Sequence, residues 1–126
     1  MQPETILLVE DDSSLRSAVR LFLEHSGYQV LDADNGVDAL FIGSKHPGPI
    51  HLLFTDVEMS PMSGPELAEQ LLLNRPHTQV LFMSGNHTED RMVEGLCLFN
   101  AKFLEKPFNP RGLGAAVREV LSSDFI

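Results

Sequence analysis

Short apolar runs that stop abruptly at polar residues, separated by segments with helical spacing, recur along all 126 residues of this chain. That alternation constrains the fold more than any other feature. Thr5-Ile6-Leu7-Leu8-Val9 runs into Glu10 and Asp11. It is short and apolar at consecutive positions, as in a strand covered on both faces. Leu15, Ala18, Val19, Phe22 and Leu23 then fall at helical spacing, with Arg16, Arg20 and Glu24 on the other side. Ser13 or Asp12 can cap this helix and Gly27 can end it. Tyr28-Gln29-Val30-Leu31 reads as a second strand. Asn35-Gly36 turns the chain into a shorter helix carrying Val37, Leu40 and Phe41, which His46-Pro47-Gly48-Pro49 breaks.

A third run, Ile50 to Thr55, ends at Asp56. Pro61, Gly64 and Pro65 mark a loop and a helix start, and Leu67, Ala68, Leu71 and Leu72 give that helix its buried stripe. Gln79-Val80-Leu81-Phe82-Met83 is a fourth strand ending at Ser84-Gly85. Thr88 or Asn86 caps a weak helix through Met92, Val93 and Leu96. Lys102-Phe103-Leu104 is a fifth strand, stopped by Lys106-Pro107, and the last helix buries Leu113, Val117, Val120 and Leu121. Five strands alternating with five helices, in one domain over residues 1–126, predict an α/β protein with a parallel sheet covered on both faces.

Composition narrows the partners. A formal net charge of -9 repels nucleic acid phosphates, so direct nucleic acid binding is not expected. Solubility is the simplest use of that charge, and cation binding the next. Met1 to Thr5 lacks the basic residues and apolar run of a signal peptide, and no apolar stretch approaches membrane-spanning length. One cysteine, Cys97, cannot form an internal disulfide. These features fit a cytoplasmic domain without membrane contact.

Ligands of open parallel sheets sit at the carboxyl ends of the strands. Glu10, Asp11 and Asp12 follow the first strand, Asp56 the third, Ser84 the fourth and Lys106 the fifth. Singly, each has an ordinary explanation: a helix cap, a structural carboxylate, a solvated lysine. Their shared location is the stronger signal. Glu10, Asp11 and Asp56, if they converge within about 5 Å, repel by about 3 kcal/mol per pair at an effective dielectric near 20. A divalent cation would offset that repulsion, and an all-oxygen set suits Mg2+. The metal is favoured for Asp11, the helix cap for Asp12. Asp56 can act as a carboxylate nucleophile that forms an acyl phosphate. Magnesium and Lys106 would then flank the phosphoryl oxygens, with the Ser84 hydroxyl on a third side. Without phosphate, Lys106 can ion-pair with Asp56. Pro107 restricts the Lys106 backbone, and the bond between them can be cis or trans.

Leu8-Val9-Glu10-Asp11-Asp12, Phe54-Thr55-Asp56 with Met59, Pro61, Met62 and Gly64, Met83-Ser84-Gly85, and Lys106-Pro107-Phe108 occur in an order that resembles two-component response-regulator receiver domains. The resemblance spans essentially the whole chain, and the combination is specific where any one motif is not. It implies a flavodoxin-like (βα)5 fold, a doubly wound five-stranded sheet in the order 2-1-3-4-5. It implies a phosphorelay in which Asp56 accepts a phosphoryl group from a phosphohistidine of a sensor histidine kinase or histidine phosphotransfer protein. Asp11 and Asp56 would ligate Mg2+ directly, Glu10 through water, and the Glu58 backbone carbonyl would be a further ligand. Ser84 matches the switch hydroxyl, Lys106 the phosphate-binding lysine and Phe103 the aromatic switch. In such a switch Ser84 moves toward the phosphoryl group while Phe103 turns inward. That biases the face of the fourth helix, fifth strand and fifth helix, where a homodimer could also form. Glu58 and Asn86 occupy the positions that tune dephosphorylation in the family. Glu10 replaces a commoner aspartate, and Ser84 a commoner threonine. The segments Glu4 to Asp11 and Val80 to Gly85 look like receivers fused to the C-terminus of hybrid sensor histidine kinases, although Met1 also permits a free-standing protein.

Two other functions compete. One is a protein-binding module that keeps the fold but signals without phosphorylation; the full set of Glu10, Asp11, Asp56, Ser84 and Lys106 argues against it. The other is a Mg2+-dependent aspartyl phosphohydrolase, but such enzymes usually need a cap domain, and their nucleophile follows the first strand. A signalling domain is expected rather than an enzyme, one that catalyses only its own phosphoryl transfer and slow dephosphorylation. His25, His46, His51, His77 and His87 are scattered without metal-ligand spacing, so the relay histidine is expected from the partner.

Overall fold

The apolar runs pair as parallel strands, in a computed structural model that describes residues 2–85 and 101–122. Along the chain come β1 (Thr5–Val9), α1 (Ser13–His25), β2 (Gln29–Ala33), α2 (Gly36–Lys45) and β3 (Leu52–Asp56). They are followed by α3 (Gly64–Asn74), β4 (Gln79–Ser84), β5 (Lys102–Glu105) and α4 (Pro110–Ser122). The strands form one sheet in the order β2-β1-β3-β4-β5, every neighbouring pair parallel. This is the expected flavodoxin-like order. The predicted helix through Met92, Val93 and Leu96 lies outside the described residues, as do Asn86, His87, Cys97 and Phe99.

Alternation across the strands sorts the core into two halves. Leu7, Val9, Leu53, Val80 and Phe82 pack with Ala39 of α2 and Leu67, Ala68 and Leu71 of α3. Ile6, Leu8, Leu52, Phe54, Leu81 and Met83 pack with Val19 and Leu23 of α1 and Leu113, Val117 and Val120 of α4. Helices therefore cover both faces, which is why β1, β3 and β4 are apolar at nearly every position.

The helix ends follow local chemistry. The Asp12 side chain accepts from the Ser14 and Leu15 amides to cap α1, and Gly27 ends that helix at a φ of 101°. Asn35 caps α2, Ser63 and Glu66 form a reciprocal capping box at α3, and the Asn109 side chain accepts from Gly112 N at the start of α4.

Val37 and Phe41, two of the apolar residues that mark the second helix in the sequence, are 54% and 63% exposed. α2 instead buries Gly36, Ala39 and Gly43. A β-carbon at Gly43 would lie 3.1 Å from Leu71, and one at Gly36 would lie 2.8 Å from Met62 Sδ. The helix approaches α3 and the β3–α3 loop through its smallest residues, which leaves Val37 and Phe41 outside. Phe103 is 42% exposed on β5, the edge strand. Among the described residues no helix is long and apolar enough to cross a membrane.

Candidate functional site

Because the strands are parallel, β1, β3, β4 and β5 all end at one edge, and each delivers a polar residue there. Glu10 follows β1, Asp56 closes β3, Ser84 closes β4 and Lys106 follows β5. Glu10 is only 1% exposed, and Asp56 and Ser84 are buried as well. Asp11, at the turn into α1, is exposed. Glu10, Asp11 and Asp56 each present a carboxylate oxygen within 4.8 Å of the other two.

Lys106 links two of these acids. Its ammonium donates to Glu10 Oε1 at 2.8 Å and to Asp56 Oδ2 at 3.0 Å. The second Glu10 oxygen accepts from the Asp12 amide at 2.9 Å. Burial pushes the Glu10 carboxyl above its usual range; the Lys106 and Asp12 hydrogen bonds oppose that rise, and the Asp56 charge adds to it. For Lys106, burial favours the neutral amine, but its bonds to Glu10 and Asp56 outweigh this and raise its pKa. The lysine is thus held as a cation between two buried oxygens.

Backbone bonds beyond the strand ends fix these positions. Lys106 N donates to the Ser84 carbonyl at 2.7 Å, continuing the β4–β5 ladder one residue past β5, and the Lys106–Pro107 bond is cis. Val57 N donates to Met83 O at 2.9 Å, which does the same for β3 against β4. Gly64 N donates to Val57 O at 2.8 Å, and a β-carbon at Gly64 would collide with the Asp56 backbone carbonyl. The Ser84 hydroxyl oxygen is buried and has no hydrogen-bond partner among the described residues. A buried hydroxyl without a partner is costly and calls for an explanation.

The fold therefore brings Glu10, Asp11, Asp56 and Lys106 together, and puts Ser84 on the strand beside Asp56. Glu58 is exposed in the loop after β3, Phe103 lies on β5, and Asn86 is outside the described residues. Sequence reasoning missed one neighbour of the site. Arg16, read only as part of the polar side of α1, donates from Nη1 to the Glu10 carbonyl at 2.7 Å. Its spacing from the acids carries no recognisable signal, because the contact exists only once α1 folds back along β1.

A 2-1-3-4-5 parallel sheet with helices on both faces defines a flavodoxin-like α/β domain, here with an acidic cluster and a lysine at its carboxyl edge. The chain belongs to the response regulator receiver domain family, which matches residues 6–118. It is 34% identical to the response regulator receiver protein CpdR of Brucella abortus, over 92% of this chain and 95% of that protein. It is 37% identical to the sensor kinase CckA of the same organism, over 93% of this chain and 12% of the kinase. The chain spans about half the length of other curated relatives, such as the transcriptional regulatory protein CreB of Escherichia coli (52%). The solved structure of Vibrio cholerae chemotaxis protein CheY4 superposes with a TM-score of 0.84 at 27% identity, over 94% of this chain and 98% of that one. The protein is homologous to response regulators of two-component signalling, and receiver domains of this family are signalling domains that work with kinases or phosphotransfer partners.

Proposed function

We propose that Asp56 is the phosphoacceptor of a cytoplasmic phosphorelay, taking a phosphoryl group from a phosphohistidine on a sensor kinase or histidine phosphotransfer protein. One observation carries this reading: the Lys106 ammonium lies 3.0 Å from Asp56 Oδ2 while also bonding Glu10 at 2.8 Å. In the transfer, an Asp56 carboxylate oxygen attacks phosphorus and an O–P bond forms. The P–N bond of the phosphohistidine breaks, and its electron pair returns to the imidazole. Lys106 is placed to follow the negative charge from the carboxylate to a phosphoryl oxygen. Ser84, whose buried hydroxyl lacks a partner, would gain one by donating to another phosphoryl oxygen.

Three carboxylates, two of them bridged by one ammonium, form an all-oxygen, electron-rich set that fits a hard divalent cation. Asp11 and Asp56 would hold Mg2+ directly, Glu10 through water, and the Glu58 carbonyl as a further ligand. When bound, the ion supplies charge neutralisation for the phosphoryl oxygens. Phe103, half-exposed on β5, would turn inward as Ser84 engages phosphate. This changes the face made by β5, α4 and the predicted helix before β5, where a partner or second copy would dock. Glu58 and Asn86, each two residues beyond a site residue, would set the rate of hydrolysis.

Intact-mass measurement after incubation with acetyl phosphate and Mg2+ tests the assignment. The native chain is expected to gain one phosphoryl group and Asp56→Asn none; an adduct on both would sink it. A time course in the same experiment reads Glu58→Ala, whose adduct should decay at a changed rate. An unchanged decay removes Glu58 from the role.

A further inference from the structure

Resting on the phosphoacceptor reading above, we propose that Arg16 is a positioning residue of the cation site. It holds the acidic turn after β1 in the shape that lets Asp11 reach the ion. Its guanidinium Nη1 donates to the Glu10 carbonyl at 2.7 Å, while Nε bonds Asp32 Oδ2 at 3.2 Å. The carbonyl of Glu10 and the amide of Asp11 belong to one planar peptide unit, so fixing the first orients the second. Asp11 is the exposed member of the acidic cluster. Arg16 is mostly buried, with a side-chain exposure of 19%, and Asp32 on β2 anchors the far side of its fork. One rigid cation thus ties α1 and β2 to the turn that carries Glu10 and Asp11. A lysine would keep the charge but could not span both partners with fixed geometry.

Two effects of removing Arg16 oppose one another, and the sign of the result separates them. Deleting a nearby positive charge should strengthen cation binding by simple electrostatics. Releasing the turn should weaken it, and loss of an outer-shell partner of this kind typically costs about tenfold in metal affinity. Positioning therefore predicts weaker binding in Arg16→Ala despite the favourable change in charge. Arg16→Lys should also bind more weakly with the charge kept. Arg20→Ala serves as the control. Arg20 pairs with Asp32 at 2.6 Å and Glu24 at 3.0 Å and makes no bond to the acidic turn.

The test is a Mg2+ titration of the metal-free protein followed by amide NMR, with hydrogen exchange of the Asp12 amide as a readout that needs no ion. The Asp12 amide donates to Glu10 Oε2, so it should exchange faster in both Arg16 variants and unchanged in Arg20→Ala. Affinity in Arg16→Ala should fall about tenfold. Equal or tighter Mg2+ binding by Arg16→Ala or Arg16→Lys, or an equal loss in Arg20→Ala, would overturn the positioning role alone. Failure of the native chain to bind Mg2+ would overturn the site reading itself, and the positioning role with it.

Discussion

Gly64 is a glycine for reasons of space. It opens α3 directly against the backbone of the proposed phosphoacceptor, where a β-carbon would meet the Asp56 carbonyl. Backbone cannot yield as a flexible side chain can, so Gly64→Ala should cost about 2 kcal/mol or more. A lowered urea midpoint checks this, and an unchanged midpoint would mean that the loop from Val57 to Ser63 shifts without strain. At this scale Glu10, Asp56 and Lys106 were legible in the sequence, because each interrupts or terminates an apolar run. Arg16 was not. Nothing in its helical spacing distinguishes an arginine that braces a carbonyl from one that faces water.

Among the elements, α2 and its exit loop depend on a residue from α3. Arg75, the C-cap of α3, donates to the carbonyls of Gly43, His46 and Gly48. The carbonyls at a helix C-terminus have no partner within the helix, so this one side chain closes α2 from outside. Arg75→Ala is expected to destabilise the protein by about 2 kcal/mol, since hydrogen bonds to a charged donor are stronger than neutral ones. Chemical denaturation reads this, and a change too small to resolve would mean that water replaces the arginine without loss. The existence of α2 was legible from the Asn35-Gly36 turn that leads into it and from its Pro-Gly stop. Its buried face was not, because a count of apolar residues favours Val37 and Phe41, whereas close packing against Leu71 and Met62 selects glycine and alanine.

Across the whole molecule, a net charge of -9 and a cluster of three carboxylates, two of them buried, mean that the metal-free fold carries repulsion a cation can relieve. Any ligand that binds only the folded state stabilises it by mass action, by about 2.7 kcal/mol at a hundred times its dissociation constant. Mg2+ should therefore raise the thermal midpoint beyond the effect of NaCl at equal ionic strength, and Asp11→Asn should remove most of the difference. Equal shifts by the two salts would show that general screening is responsible and that no specific site is filled.

Local pattern was enough to determine the number of described strands, their parallel pairing and the residues at their ends, because those properties depend on side-chain period and on where an apolar run stops. Tertiary structure decided which ends meet. Glu10 and Lys106 are 96 positions apart and Asp56 and Lys106 are 50, so no local signal encodes their contact. It arises because parallel strands in the order β2-β1-β3-β4-β5 finish at one edge, where their terminal charges must share a small, partly dry volume.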